Sequence, residues 1–116
     1  PALTILGHPT GRILLERSGY ALDLEAIIAK AAQNNIIIEF NANPYRLDLD
    51  WRWCRRAKEE GVLISINPDA HSIEELGLSR SGLLVACKGW LEKEDIFNCK
   101  EGDEIRQFFL AKKTNA

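Results

Sequence analysis

The chain has 116 residues, of which 46% are hydrophobic and 28% charged, a composition typical of a globular domain with one modest core. Its formal net charge of -2 excludes a large cationic surface that would hold nucleic acid by counterion release. No apolar run approaches the roughly 20 residues that a membrane-spanning helix needs, and no signal peptide is evident, so we expect a cytoplasmic protein without a membrane partner.

Strand-like and helix-like segments alternate along the chain, which is typical of βαβ units in a mainly parallel sheet. We predict strands over residues 3–7, 36–41 and 62–67. Helices are predicted over residues 24–34, 50–60, 81–90 and 103–112, with shorter helical segments at 73–76 and 93–98. Asp23 is the expected N-cap of the first helix, and Gly61 ends the second. The fold class is therefore α/β, and residues 1–116 are expected to form a single domain.

Polar side chains gather where these strands end. Alternation gives one face to Thr4, Leu6, His8 and Thr10 on the first strand, to Glu39, Asn41 and Asn43 on the second, and to Ser65, Asn67, Asp69 and His71 on the third. A parallel strand covered by helices on both faces should instead be apolar throughout. The mouth of an α/β barrel, where side chains point into the lumen at the carboxyl ends of the strands, explains the pattern.

Both histidines, His8 and His71, lie at such strand ends, and Asp69 precedes His71 by two residues. Imidazole and carboxylate ligands together suit Zn²⁺, Mn²⁺ or Fe²⁺. A plainer interpretation makes Asp69 a cap or turn residue, His71 an exposed loop residue and His8 a turn residue. Glu39 is open to three roles: a ligand, a group that orients a histidine, or an ion-pair partner of Arg46; we favour the second.

Three sequence blocks carry a resemblance to a known family. They are Gly7-His8-Pro9-Thr10-Gly11-Arg12, then Glu39-Phe40-Asn41-Ala42-Asn43-Pro44 with Arg46-Leu47-Asp48, and then Asn67-Pro68-Asp69-Ala70-His71-Ser72. In this order they resemble the last part of the PHP (polymerase and histidinol phosphatase) domain of bacterial and archaeal family X DNA polymerases. The resemblance runs over nearly the whole chain and includes Gly89-Trp90-Leu91.

The resemblance implies a distorted (βα)₇ barrel that binds up to three divalent metals, Mn²⁺ or Zn²⁺, and hydrolyses phosphoesters as a 3′–5′ exonuclease. It implies that His8, Asp69 and His71 are metal ligands, with Asp69 and His71 catalytic. Glu39 and Asn41 would orient these ligands without binding the metal themselves. Arg12 would bind a substrate phosphate, although an ion pair of Arg12 with Glu16 or Asp48 is equally compatible with the sequence.

The early HxH motif and the other ligands of the family are absent from this chain. Together with Pro1 at the start and the absence of Met, this indicates a fragment of a longer protein, inactive in isolation and with unpaired strands at the edges of its sheet. The expected partners are the missing N-terminal part of the barrel, DNA contacted through the parent protein, or another phosphoester substrate. Two alternatives stay open: a monoesterase similar to histidinol phosphatase, and a non-catalytic scaffold that has lost its metals.

Two smaller predictions complete the sequence analysis. The segment 51–56 mixes tryptophan with arginine as single-strand binding surfaces do, but its helical spacing favours packing of an amphipathic helix. The cysteines Cys54, Cys87 and Cys99 are odd in number and widely spaced, which favours reduced thiols over disulfides or a zinc site.

Overall fold

The computed structural model describes residues 3–114, in which three parallel strands alternate with helices. The strands are β1 (Ile5–Leu6), β2 (Ile37–Asn41) and β3 (Ile64–Asn67). They lie side by side in the order β1-β2-β3, with Ile5 opposite Ile37 and Ile38 opposite Ile64. The predicted α/β fold is thereby confirmed, and the open sheet is consistent with part of a barrel.

Four α-helices accompany the sheet, and short 3₁₀ segments connect them. The helices are α1 (Leu24–Gln33), α2 (Trp51–Glu59), α3 (Ser79–Lys88) and α4 (Gly102–Thr114), and the 3₁₀ segments are Glu74–Leu78, Lys93–Asp95 and Phe97–Cys99. The predicted α-helices are all present, with ends that differ by at most two residues. The segments predicted as helical at 73–76 and 93–98 form tighter 3₁₀ turns, a conformation common in short connecting segments.

Local sequence signals explain where the first two helices begin and end. The Asp23 carboxylate accepts a hydrogen bond of 3.0 Å from the backbone N–H of Ala26, as predicted for the N-cap of α1. Asp50 caps α2 in the same way through the backbone N–H of Arg52, at 3.0 Å. Beyond α2, Gly61 has a φ of 74°, the left-handed conformation that glycine adopts at little cost where a helix ends.

The hydrophobic core fills the space between the helices and one face of the sheet. Its members include Leu24, Ile28 and Ala31 of α1, Cys54 and Ala57 of α2, Ala86 of α3, and Ile38, Phe40, Ile64 and Ile66 of the sheet. Each large side chain buried in this way stabilises the fold by about 1.5–3 kcal/mol. Glu39, Ser65 and Asn67 alternate with these sheet residues and therefore belong to the opposite face, so the predicted polar face of β2 and β3 is present.

The outer edge of β3 is covered by the chain itself. The carbonyls of Leu63 and Asn67 accept hydrogen bonds from β2, so the backbone groups of Ile64 and Ile66 point away from it. Ile64 forms a parallel bridge with Ile96, while Asn98 accepts from the Ile66 N–H at 2.7 Å and donates to its carbonyl at 3.1 Å. The expectation of unpaired edges was therefore wrong for β3, because residues 96–98 supply the hydrogen bonds of a neighbouring strand.

Helix α2 packs as its spacing predicts. Cys54 and Ala57 are buried, while the Arg55 guanidinium carbon lies 4.0 Å from the centroid of the exposed Trp90 ring. Arg56 donates from its Nε to the Glu25 carboxylate at 2.8 Å, which ties α2 to α1. None of the helices within residues 3–114 combines the length and the apolar character needed to cross a bilayer.

Candidate functional site

The carboxyl ends of the three strands meet at one edge of the sheet because the strands are parallel. The backbone turns sharply after two of them, since His8 has a φ of 28° and Asp69 a φ of 55°. The face alternation that grouped Leu6 with His8 was therefore wrong past the end of β1. Leu6 lies opposite Ile38 and shares its helix-packed face, whereas the orientation of His8 is set by the turn.

Glu39 links the ends of β1 and β3 from its place on β2. One carboxylate oxygen accepts a hydrogen bond of 2.6 Å from the backbone N–H of His8, and the other accepts one of 2.8 Å from the Asn67 side-chain amide. Asn67 in turn accepts from the Ser65 hydroxyl at 3.0 Å. Glu39 thus contacts the backbone of His8 rather than its imidazole, and the arginine considered as its partner, Arg46, pairs with Asp69 instead.

Asn41 and Asn43 hold the loop that follows β2. The Asn41 side chain, 1% exposed, accepts a hydrogen bond of 3.0 Å from the backbone N–H of Asn43. The Asn43 side chain repeats this pattern two residues later, accepting from the Tyr45 N–H at 3.0 Å. Such turns fix the course of the backbone, so both asparagines have a structural contact, and a further supporting role for Asn41 behind a metal ligand stays a prediction.

Asp48 is a residue whose role the sequence did not reveal. Its side chain is completely buried and accepts hydrogen bonds of 3.0 Å from the backbone N–H groups of Thr10 and Gly11. Its own backbone is bonded in both directions to that of Asn41, at the end of β2. Asp48 therefore joins the loop carrying His8 to the loop that follows β2.

Arg12 also connects the loop that carries His8 to the loop that follows β2. Its Nε donates to the carbonyl of Arg46 at 2.9 Å, one terminal nitrogen donates to the carbonyl of Leu47, and the other lies 3.7 Å from the Asp50 carboxylate. Asp50 also binds Arg52, and these two cations, Arg52 foremost, hold the pKa of Asp50 below its ordinary value. The partner of Arg12 is thus Asp50, and a contact of Arg12 with phosphate stays a prediction.

The predicted ligands Asp69 and His71 follow β3. The Asp69 carboxylate lies 3.3 Å from Nε of Arg46, and His71 Nδ1 lies 2.8 Å from the Asp69 carbonyl oxygen. The His71 side chain is 78% exposed, with Nδ1 3.9 Å from the Glu75 carboxylate. The three predicted ligands therefore lie on two loops, after β1 and after β3, at the same edge of the sheet, and His8 and His71 are exposed to solvent.

The donor types suit a divalent metal, but their arrangement does not form a metal centre by itself. Within residues 3–114, no three side chains of His, Cys, Asp or Glu come together as a group that could hold an ion. Asp69, the acidic member of the predicted set, is paired with Arg46. A metal site that uses these residues needs further ligands.

Comparison with models of protein families gives no match. Among curated proteins, the DNA polymerase/3′-5′ exonuclease PolX of Bacillus subtilis (strain 168) is 40% identical to this chain over 104 residues. The match covers 90% of this chain and 18% of the relative, so the chain spans less than a fifth of the length of the protein it matches. The chain is thus related to part of a polymerase and exonuclease.

Proposed function

We propose that the chain is the last part of a PHP-type phosphoesterase domain in a family X DNA polymerase, and that the complete domain removes nucleotides from DNA ends in the 3′–5′ direction. The observation that carries this proposal is the bridge made by Glu39, whose carboxylate binds the His8 backbone and the Asn67 side chain. It fixes the loops bearing the candidate ligands at one edge of a parallel sheet. The 40% identity to PolX supports DNA as the substrate.

Each candidate residue has a distinct role in this proposal. His8, Asp69 and His71 are ligands of divalent metals, Mn²⁺ or Zn²⁺, which supply charge neutralisation at the phosphate and an activated water. Asp69 and His71 are the catalytic pair among them. Glu39 holds the ends of β1 and β3 through its side-chain hydrogen bonds, and Asn41 holds the loop that follows β2.

The remaining ligands come from outside this chain. Three donors are too few for the multinuclear centre that the resemblance implies, and residues 3–114 do not gather three donors in one group. We therefore propose that residues 1–116 are one portion of a larger barrel and that this portion alone does not hydrolyse phosphoesters.

The test uses the complete polypeptide that carries this sequence. Its Mn²⁺-dependent 3′ exonuclease activity on single-stranded DNA is compared with that of the variants His8→Asn, Asp69→Asn and His71→Asn. Each variant is expected to lose at least about 100-fold in nuclease activity, because a metal ligand is lost, while nucleotide incorporation is retained. Glu94→Gln is the matched control, since Glu94 is exposed and lies in the 3₁₀ segment Lys93–Asp95, outside the loops that follow the strands.

The alternatives give different results in the same assay. Nuclease activity that persists in all three variants would overturn the assignment of the ligands. Hydrolysis of histidinol phosphate without nuclease activity would indicate a small-molecule monoesterase. The absence of both activities in the unmodified polypeptide would favour a scaffold without catalysis.

A further inference from the structure

Two arginines, Arg12 and Arg46, lie on the loops at the carboxyl edge of the sheet, and their side chains make different contacts. All three guanidinium nitrogens of Arg12 face protein acceptors: the carbonyls of Arg46 and Leu47, and the carboxylate of Asp50. Withdrawing Arg12 to bind a ligand would break the connection between two loops. The side chain of Arg12 is therefore less available to a ligand than one that makes a single contact.

The backbone of Arg46 is held by hydrogen bonds, whereas its side chain makes one long ion-pair contact. Its backbone N–H donates to Asn43 at 2.8 Å, and its carbonyl accepts from Arg12 at 2.9 Å. Its guanidinium makes one ion pair within the described part of the chain, a 3.3 Å contact between Nε and the Asp69 carboxylate. A charge-assisted hydrogen bond is usually about 2.7–2.9 Å long, so this contact is loose.

The surroundings of Arg46 suit an anionic ligand. Its side chain is 26% exposed and that of Asp69 is 29% exposed, so solvent reaches both members of the pair. A guanidinium can offer parallel N–H groups to two phosphate oxygens at once, and the contact of Arg46 with Asp69 is made through Nε.

We infer that Arg46, rather than Arg12, binds the phosphate group of a phosphoester at this edge of the sheet, exchanging the Asp69 carboxylate for phosphate oxygens. This inference rests on the proposed function and names the residue that receives the substrate phosphate. Asp69 is then a competitor for Arg46 whenever no ligand is present. The two side chains consequently have opposite effects on phosphate binding, an effect that a purely structural ion pair would not produce.

The experiment measures binding of thymidine 5′-monophosphate to the complete polypeptide that carries this sequence, by calorimetry and with EDTA present so that no metal takes part. Relative to the unmodified chain, Arg46→Gln is expected to weaken binding at least about tenfold, because a bidentate charged contact is lost. Asp69→Asn is expected to tighten binding about five- to tenfold, since the competing carboxylate is removed. The double variant should bind as weakly as Arg46→Gln.

Two further variants make the result specific. Arg46→Lys keeps the charge but not the paired N–H groups, and it should bind with intermediate affinity. Arg106→Gln removes an exposed arginine from α4 and should bind as the unmodified chain does. Urea unfolding of each variant confirms that the fold is retained.

Unchanged binding in Arg46→Gln, or equal or weaker binding in Asp69→Asn, would overturn the inference. Because the measurement excludes metal and turnover, its failure is separate from failure of the nuclease assay. Phosphate binding with the expected pattern in a protein without nuclease activity would retain the role of Arg46 and reject the phosphoesterase proposal.

Discussion

The buried carboxylate of Asp48 accepts a 3.0 Å hydrogen bond from the backbone N–H of Gly11, although 37 positions separate the two residues in the sequence. The neighbouring N–H of Thr10 binds the same oxygen, also at 3.0 Å. Backbone donors removed from water need acceptors, so this one side chain determines where the loop after His8 can lie.

Replacing Asp48 with Asn should destabilise the chain by about 1–3 kcal/mol, because the two backbone N–H groups lose a charged acceptor and an amide NH₂ group takes the place of the second carboxylate oxygen. Urea unfolding followed by far-ultraviolet circular dichroism measures the change. Glu94→Gln, at an exposed position, is the control and should stay within about 0.5 kcal/mol of the unmodified chain. Equal stability of Asp48→Asn and the unmodified chain would contradict the role given to this carboxylate.

Gly82 is expected to be intolerant of a methyl group. A Cβ atom at this position would lie 2.7 Å from the Cβ of Ala42 and 2.8 Å from a methyl carbon of Ile66, so α3 would have to move away from the sheet. Gly82→Ala should therefore cost about 1–3 kcal/mol of stability through overpacking, partly offset by better helix propensity. Thermal unfolding measures the difference from Gly77→Ala, where no atom lies within 4 Å of the added Cβ and no loss is expected.

The three cysteines should react at very different rates. Cys54 is buried in the core, and desolvation raises the pKa of its thiol to about 12, so it stays protonated and inaccessible at neutral pH. Cys87 is exposed and Cys99 is intermediate. Iodoacetamide labelling followed by mass spectrometry should modify Cys87 first and Cys54 only after addition of denaturant. Rapid labelling of Cys54 in the native chain would show that the core opens locally.

Asp50 should make stability depend on pH in the acid range. Its pKa in the folded chain is lowered from 3.8, first by the hydrogen bond with Arg52 and further by Arg12, so the ionised form stabilises the fold above that value. This contribution is lost as the pH falls through the folded pKa. The stability difference between the unmodified chain and Asp50→Asn should therefore shrink between about pH 6 and about pH 2, as measured by urea titrations. A constant difference would assign the effect of Asp50 to capping alone.

The elements with strong local signals could be predicted from the sequence. The cap of α1 at Asp23 and the turn at Gly61 beyond α2 were predicted, because caps and left-handed glycines depend on neighbouring residues. The predicted second helix started at Asp50, which is instead the N-cap of α2. The segments rich in β-branched residues likewise predicted β2 and β3, and the predicted strands start one and two residues before the observed ones. The alternating order of these elements was sufficient for the fold class.

The site was harder to predict because its contacts join residues far apart in the chain. Periodicity placed His8 on the face of Leu6, but the turn at His8, with a φ of 28°, ends the alternation. The contacts of Asp48 with Gly11 and of Arg46 with Asp69 depend on how two loops meet, which no spacing encodes. The available signal for Asp48 was its place in the Arg46-Leu47-Asp48 block.

The side chain of Asn98 limits where the sheet can grow. By satisfying both backbone groups of Ile66, while Ile96 bridges to Ile64, it removes the hydrogen-bonding positions that an added strand would need along β3. A strand contributed by another part of a longer protein, or by a second molecule, is thereby directed to the edge formed by β1. A larger sheet built around this chain is therefore expected to extend from β1 and not from β3, and the side chain of Asn98 contributes to this preference.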